Sequence, residues 1–332
     1  MSQNFASDLI YAPKFSITPS HRITTAGSCF AQNIGRYLRA SNAHLQDAEP
    51  APMGLSAKNQ NRFGYGLYSG RYGNIYSAKQ LTQLIAEVIS QQVRRDIIWQ
   101  RGGGYFDALR PTVEPGGLSS PQEVLAQRQD HITRLYRLFK STDIFIFTLG
   151  LTEYWATQSS GLAYPTCPGI VAGKYCADAH ALHNAGYLEV QGDLVGAFSG
   201  LKSLNPKMKL LLTVSPVPLT ATACGGHVLS ATTYSKSTLR AVAGDLAANH
   251  EDIDYFPSYE LITGVPFQGR FFEPNLRQVT QPGIDLVMSV FFGAHKELIY
   301  TAPVANQMTS AKADLEEDNA VCEDLLLDAF SK

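Results

Sequence analysis

The stretch Arg22-Ile23-Thr24-Thr25-Ala26-Gly27-Ser28-Cys29-Phe30-Ala31 decides the fold. Arg22 to Ala26 reads as a short strand that stops at Gly27. From Phe30 onward apolar residues recur three and four apart, at Ile34, Tyr37 and Leu38, which is the period of a helix burying one face. Gly-Ser-Cys therefore occupies a strand-to-helix turn. In a parallel sheet such turns gather at the carboxyl ends of the strands, where ligands bind.

Outward from that turn the pattern repeats. A second strand is predicted between His44 and Met53, before a Gly/Tyr/Arg-rich loop from Asn61 to Asn74. Ser77 is suited to cap a helix that buries Leu81, Leu84 and Val88. The segment 97–120, with consecutive glycines and two proline breaks, reads as loop or a short hairpin. Helical spacing returns over Pro121 to Lys140. Asp143 to Leu149 is apolar on both faces, as a central parallel strand must be. Lys209 to Val214 is a second such strand, Asp252 to Phe256 a shorter one, and Pro282 to Phe292 a final helix. Strands alternating with helices predict an α/β protein, a three-layer α/β/α sandwich on a central parallel sheet of about five strands. One domain is expected over residues 1–300, followed by an acidic tail or surface helix over 301–332 that carries Glu316, Glu317 and Asp318.

Composition narrows the function. With 45% hydrophobic and 17% charged residues among 332, the chain can bury a large core. A formal net charge of -2 and the lack of any Lys/Arg-rich run leave no electrostatic footprint for nucleic acid or an anionic membrane. The opening residues have no basic start followed by an apolar core, and no stretch of about eighteen apolar residues occurs, so a soluble cytoplasmic protein is expected. The five cysteines, at 29, 167, 176, 224 and 322, form no CxxC pair and have no zinc-ligand spacing with histidine. They are expected to be free thiols, with no metal and no cofactor implied, and the oligomeric state stays open.

The predicted strand ends bring together Ser28 and Cys29, then Thr152 and Glu153, then Ser215, then Tyr255 and Ser258. A thiol at a helix N-terminus gains from free backbone N–H groups and the helix dipole, both of which favour thiolate. Ser28 in the same place needs a base. The plainer alternative is a tight turn with a serine N-cap and a small buried thiol.

Gly27-Ser28-Cys29-Phe30-Ala31 resembles the signature of the GSCFA family, which is similar to the SGNH (GDSL-like) hydrolases. Thr148-Leu-Gly-Leu-Thr-Glu-Tyr-Trp155, Thr213-Val-Ser-Pro-Val-Pro-Leu219, Tyr234-Ser-Lys-Ser237 and Tyr255-Phe-Pro-Ser-Tyr-Glu260 resemble further GSCFA blocks, in the family's order, over residues 20 to 293. The resemblance implies a flavodoxin-like sandwich that hydrolyses or transfers an acyl ester, with a small molecule or an O-acylated glycan as substrate. Gly-Ser-Cys stands where SGNH enzymes have Gly-Asp-Ser. An ungapped reading makes Cys29 the nucleophile, and a gapped one keeps Ser28. Gly150-Leu-Thr-Glu153 resembles the Gly-x-Asn-Asp block, so Gly150 and Thr152 are expected to help hold the oxyanion. Asn74, Ser215, Tyr255, Asn275 and Gln278 complete the expected substrate-binding set.

The chain departs from the pattern where an Asp-x-x-His block should precede the last helix. It has Asn275-Leu-Arg-Gln278 instead. A neutral amide cannot orient a base, and glutamine cannot accept a proton near neutral pH, so a Ser-His-Asp relay cannot run on these residues. His227, in the loop after Ser215, is the substitute base expected from position, with Glu153 next if burial raises its pKa. His180 and His183, in an Ala-rich segment with no acid placed to orient them, rank lower. The Asn275 and Gln278 exchanges keep a rival open, a catalytically silent SGNH-like domain that binds a carbohydrate or a protein partner.

Other features have a functional reading and a commoner ordinary one. Tyr65, Tyr68, Tyr72 and Tyr76 could stack on a sugar, but packing against the sheet edge is commoner. Arg71 and Arg110 could anchor an acidic substrate, with solvated or internal salt bridges the default. Tyr234-Ser-Lys-Ser237 invites comparison with Ser-Lys dyads, yet it opens a predicted helix through Leu239, Val242 and Leu246, where capping is the ordinary role.

Overall fold

A computed structural model describes residues 10–300, so the acidic tail and Cys322 lie outside the described residues. Five parallel strands form the central sheet: β1 (Arg22–Gly27), β2 (His44–Leu45), β5 (Ile144–Leu149), β9 (Lys209–Val214) and β10 (Ile253–Phe256). Their order is β10-β9-β5-β1-β2. Counted along the chain as five strands this is 2-1-3-4-5, the flavodoxin-like arrangement whose direction of winding reverses between the first and third strands. Here that switch point lies between β1 and β5, which pair from Ile23↔Ile144 to Gly27↔Thr148.

Alternation within the strands makes the three layers. Ile144 and Ile146 of β5 join Ile23, Leu211 and Phe256 against helices α1 (Phe30–Arg39), α7 (Ser258–Thr263) and α8 (Gln281–Ala294). Phe145, Phe147 and Leu149 point the other way, with Leu210, Leu212 and Val214, into α3 (Ala78–Ser90), α4 (Pro121–Ser141), α5 (Tyr187–Leu204) and α6 (Val228–Asn249). Period-two side-chain direction thus feeds two separate cores. Ser77 caps α3 with a full capping box to Gln80, and Ser120 caps α4 ahead of Pro121.

The 97–120 segment contains a hairpin, β3 (Ile98–Arg101) and β4 (Gly104–Asp107), one of the two forms expected of it. Other elements depart from the expected pattern. A short helix, α2 (Ala57–Arg62), precedes the Tyr-rich loop. A three-stranded antiparallel sheet, β6 (Glu153–Thr157) between β7 (Ala163–Tyr164) and β8 (His180–Asn184), stands beside the carboxyl end of β5. Helix α5 escaped detection because Gly192, Gly196 and Gly200 lower its propensity. Gly200 is required there, since a Cβ would come within 2.8 Å of Ile85 on α3.

Two glycines fix the strand-end geometry. Gly27 has φ +138°, and a Cβ on it would stand 2.4 Å from the Thr148 carbonyl oxygen. Gly150 has Ser28 Cβ and the Tyr76 carbonyl each 3.0 Å from where its own Cβ would be. Both permit backbones to meet at the switch point. The Tyr-rich loop takes over from the short β2 along β1: Ser69 N–H donates to Thr25 O, and Ile75 N–H to Gly27 O.

Candidate active site

A cleft of about 770 Å³ opens over the carboxyl ends of β1 and β5, lined by Ser28, Cys29, Asn74, Tyr76, Gly150, Glu153, Ser215 and Lys236 among others. Cys29 is the N-cap residue of α1 and partly exposed to the cleft. Ser28 is buried beside it. Its backbone N–H is bound to Thr148 O at 3.1 Å, its carbonyl accepts from the Tyr68 hydroxyl at 3.2 Å, and its own hydroxyl has no hydrogen-bond partner. The capping role expected of Ser28 falls to Cys29 instead, without a side-chain cap bond.

Lys236 enters the same cleft from α6. It is 1% exposed, and its Nζ donates to Gly150 O at 2.7 Å. Burial pushes its pKa down to about 7, partly offset by the attraction of the neighbouring Cys29. An amine in that range can take up and return a proton near neutrality. Opposite, the Tyr-rich loop presents Asn74. Its Oδ1 shares the one Tyr68 hydroxyl proton with Ser28 O, and its Nδ2 donates to the Tyr76 hydroxyl at 3.0 Å, leaving a second Nδ2 hydrogen for a ligand.

The model of the GSCFA family matches residues 22–291. The chain belongs to the GSCFA family. A comparison with curated proteins returns no match. Among solved structures, an acetyl xylan esterase (Est2A) from the rumen bacterium Butyrivibrio proteoclasticus is similar with a TM-score of 0.24 and 14% identity. That likeness covers 72% of the GSCFA chain and 55% of the esterase chain, so the chain spans about half of that enzyme's length.

The GSCFA chain gathers some of the predicted site residues and disperses others. Ser28, Cys29, Asn74, Gly150, Glu153 and Ser215 line one cleft. Ser215 is held at the end of β9, its N–H on Leu149 O at 2.8 Å, and its hydroxyl accepts from Val217 N–H. Glu153 Oε1 accepts from the Thr222 hydroxyl at 2.7 Å, which ties the carboxylate to the loop after β9.

The expected oxyanion donors do not suit that role. The Gly150 and Leu151 N–H groups both donate to Tyr76 O at 2.9 Å. Thr152 is fully buried and outside the cleft lining. Its hydroxyl donates to Asn184 Oδ1 at 2.6 Å, and its N–H donates to Ser235 Oγ at 3.0 Å. The β5–β6 turn spends its donors on its own construction.

His227 is an exposed N-cap, its Nδ1 accepting from Leu229 N–H at 3.1 Å, and it does not line the cleft. Tyr255 is a core residue whose hydroxyl donates to Glu260 at 2.7 Å under the guanidinium of Arg240. Asn275 uses its Oδ1 to hold the backbone N–H groups of Arg277 and Gln278, and neither Asn275 nor Gln278 reaches the cleft. His180 and His183 lie on β8 outside the lining. An acid does orient His183, whose Nε2 is 2.8 Å from Glu189 Oε1 at the surface. Tyr68 and Tyr72 are buried, and Arg71 and Arg110 form internal ion pairs with Glu114 and Asp107.

Sequence reasoning missed Lys236 and Arg277. Tyr234-Ser-Lys-Ser237 does not open a helix, because α6 begins at Val228 and Lys236 falls inside it. The available signal was its register: Lys236, Leu239 and Ala243 share one buried stripe, so a charge was facing the core. Cys29, Cys167, Cys176 and Cys224 are outside any disulfide. Among the described residues no three His, Cys, Asp or Glu side chains come together as metal ligands, and no helix is long and apolar enough to cross a membrane.

Proposed function

We propose that the protein is an SGNH-like acyl-ester hydrolase or acyltransferase that uses Cys29 as nucleophile and Lys236 as base, with no histidine in the relay. The observation that carries this reading is the burial of Lys236, tied to Gly150 O, beside Cys29 at the switch point of the sheet. A buried lysine costs stability unless it is paired, and this one is close enough to feel the Cys29 charge. That arrangement favours Cys29 over Ser28, whose hydroxyl has no base within hydrogen-bond reach.

The chemistry balances on these groups. Neutral Lys236 takes the thiol proton as Sγ bonds to the ester carbonyl carbon. The tetrahedral oxyanion is held by the remaining Nδ2 hydrogen of Asn74 and the backbone N–H of Phe30 at the start of α1, since the next two N–H groups already bond to Ser28 O and Cys29 O. As the C–O bond breaks, the Lys236 ammonium gives its proton to the departing alkoxide, leaving a thioester on Cys29. Water or an acceptor hydroxyl, deprotonated by Lys236, then attacks the thioester and releases the thiol. Helix placement also supports the scheme, because Cys29 is at the N-terminus of α1, where negative charge is stabilised.

The silent-domain alternative draws support from Asn275 and Gln278, which bring neither base nor acid to the cleft. Lys236 answers it by supplying a proton acceptor from another element. The test is incubation with a chromogenic acetyl or butyryl ester, followed by mass spectrometry of the denatured protein. Expected is turnover with a transient acyl adduct on Cys29, lost in Cys29→Ala and slowed in Lys236→Met. An adduct elsewhere, or full turnover by Cys29→Ala, removes the proposal.

A further inference from the structure

The loop that resembles the Asp-x-x-His position delivers a guanidinium to the cleft. Asn275 Oδ1 accepts from the N–H groups of Arg277 and Gln278 at 3.0 Å each, Leu276 has φ +57°, and Glu273 N–H donates to Gln278 O at 2.8 Å. This tight turn aims Arg277 inward while Asn275 and Gln278 stay outside. Arg277 Nη2 donates to the hydroxyl of Thr220, another lining residue, on the loop after β9. The guanidinium is therefore fixed at both ends, by its turn and by Thr220.

The charge balance of the cleft points the same way. Arg62, Arg101 and Arg277 line it as permanent cations beside Lys236, which titrates near neutrality, against Glu153 as the carboxylate among the described lining residues. Glu153 is already engaged by Thr222. On a chain whose formal net charge is -2, a cleft this cationic stands out. Low-dielectric walls focus such a field and attract anions, and a fixed guanidinium offers paired donors to a carboxylate or phosphate.

We infer that the cleft takes an anionic ligand, a carboxylate- or phosphate-bearing molecule whose charged group is held by Arg277. Resting on the acyl-transfer reading, this makes the substrate an ester that also carries an anionic group. A neutral acylated sugar or a simple alkyl ester is then a poor substrate.

The experiment needs no turnover. In the full-length protein at low ionic strength, Cys29 is alkylated with iodoacetate and separately with iodoacetamide, and the rate ratio is compared with that at Cys176, an exposed thiol outside the cleft. The anionic reagent is expected to be favoured at Cys29 by about tenfold over Cys176, with the preference falling as salt is raised. Arg277→Gln should lose most of this preference and Arg277→Lys should keep much of it. A ratio equal to that of Cys176, or one unchanged in a folded Arg277→Gln, overturns the inference.

Protection identifies the anion. Inorganic phosphate or sodium glucuronate should slow iodoacetamide labelling of Cys29 where glucose does not, with phosphate alone indicating a phosphoryl group and glucuronate alone a carboxylate. Protection by neither overturns the site. The two readings fail separately: a strong anionic preference without turnover even of an ester that carries a carboxylate or phosphate removes acyl transfer, and turnover with a flat ratio removes the anion site.

Discussion

Lys236 on α6 and Gly150 at the end of β5 are joined by a hydrogen bond of 2.7 Å from the buried ammonium to the carbonyl oxygen. The neighbouring Ser235 accepts from Thr152 N–H at 3.0 Å, so two consecutive residues of one helix grip two positions of the β5–β6 turn. Gly150 N–H is drawn the opposite way, to Tyr76 O. The turn is thereby fixed from both sides, and Lys236 stays in the cleft rather than extending to solvent.

Such a lysine is predicted to cost stability. Its pKa in the folded protein, about 7, is below the ordinary 10.5. A depressed pKa means that stability is fully present above the unfolded value and declines as pH falls through about 7, because unfolding lets the amine take up a proton. Lys236→Met should therefore be more stable than wild type at pH 7, by roughly 2–4 kcal/mol after the lost hydrogen bond is counted. Its kcat/KM should fall by about 10²–10⁴ if Lys236 is the base. Denaturant unfolding at pH 7 and pH 10 checks the first part, since the variant's advantage should shrink at the higher pH. No advantage at pH 7, or one of the same size at both pH values, would mean that the ammonium is well solvated in the folded protein.

Thr152 gives a contrasting result. Its hydroxyl bonds to Asn184 and its main chain to Ser235, on the side of the turn away from the cleft. Thr152→Val should lose about 1 kcal/mol of stability, the ordinary worth of one buried hydrogen bond, and keep ester turnover within about threefold. A loss on the order of 10² or more in kcat, with stability unchanged, would restore the oxyanion role.

The sheet was legible because its strands carry their own evidence. Asp143–Leu149 and Lys209–Val214 are apolar on both faces, a pattern that only a buried parallel strand needs, and Gly27-Ser28-Cys29 marks its turn by residue type. The cleft was legible in half. Residues at strand ends, such as Ser28, Cys29 and Ser215, follow from topology, whereas Lys236 and Arg277 come from a helix interior and a loop whose approach depends on tertiary packing. His227 and Tyr255 misled for a related reason: proximity in sequence to a strand end does not say which way a side chain turns. The β6–β8 sheet was obscured because β8, His180-Ala-Leu-His-Asn184, has little apolar alternation.

The ionic cluster behind the Tyr-rich loop is a structural support. Asp107 lies between Arg110 at 2.9 Å and Arg128 at 3.3 Å, and Arg110 also approaches Glu49 at 3.7 Å. All four are nearly sealed from solvent, and the paired arginines hold the Asp107 carboxyl below its usual range against the effect of burial. Removing the shared acid takes a carboxylate from two buried cations and leaves Arg110 with the more distant Glu49 and Arg128 with Glu87. Asp107→Ala is expected to lose about 3–5 kcal/mol, whereas removing the surface pair partner Asp130 should change stability by less than about 1 kcal/mol. Chemical denaturation of both variants checks this, and similar small losses would show that the cluster is dispensable.

His295 supplies the acid limit of the fold. It packs on Phe291 with ring centroids 4.8 Å apart and on Tyr11 at 5.9 Å, and its Nδ1 accepts from Ile17 N–H at 3.3 Å. Nε2 is buried without a partner. Burial pushes the imidazole pKa from 6.5 down to about 4. The stability it contributes is therefore present above pH 6.5 and is lost as pH falls through about 4, amounting to about 3 kcal/mol across that window. His295→Leu, with no proton to gain, should be less stable than wild type at pH 7, because Ile17 N–H loses its acceptor, yet should show a shallower decline between pH 6.5 and 4. Urea unfolding at four pH values decides the point: the gap between the two proteins must close by a few kcal/mol toward pH 4, and a gap that stays constant would mean that His295 takes up its proton as readily folded as unfolded.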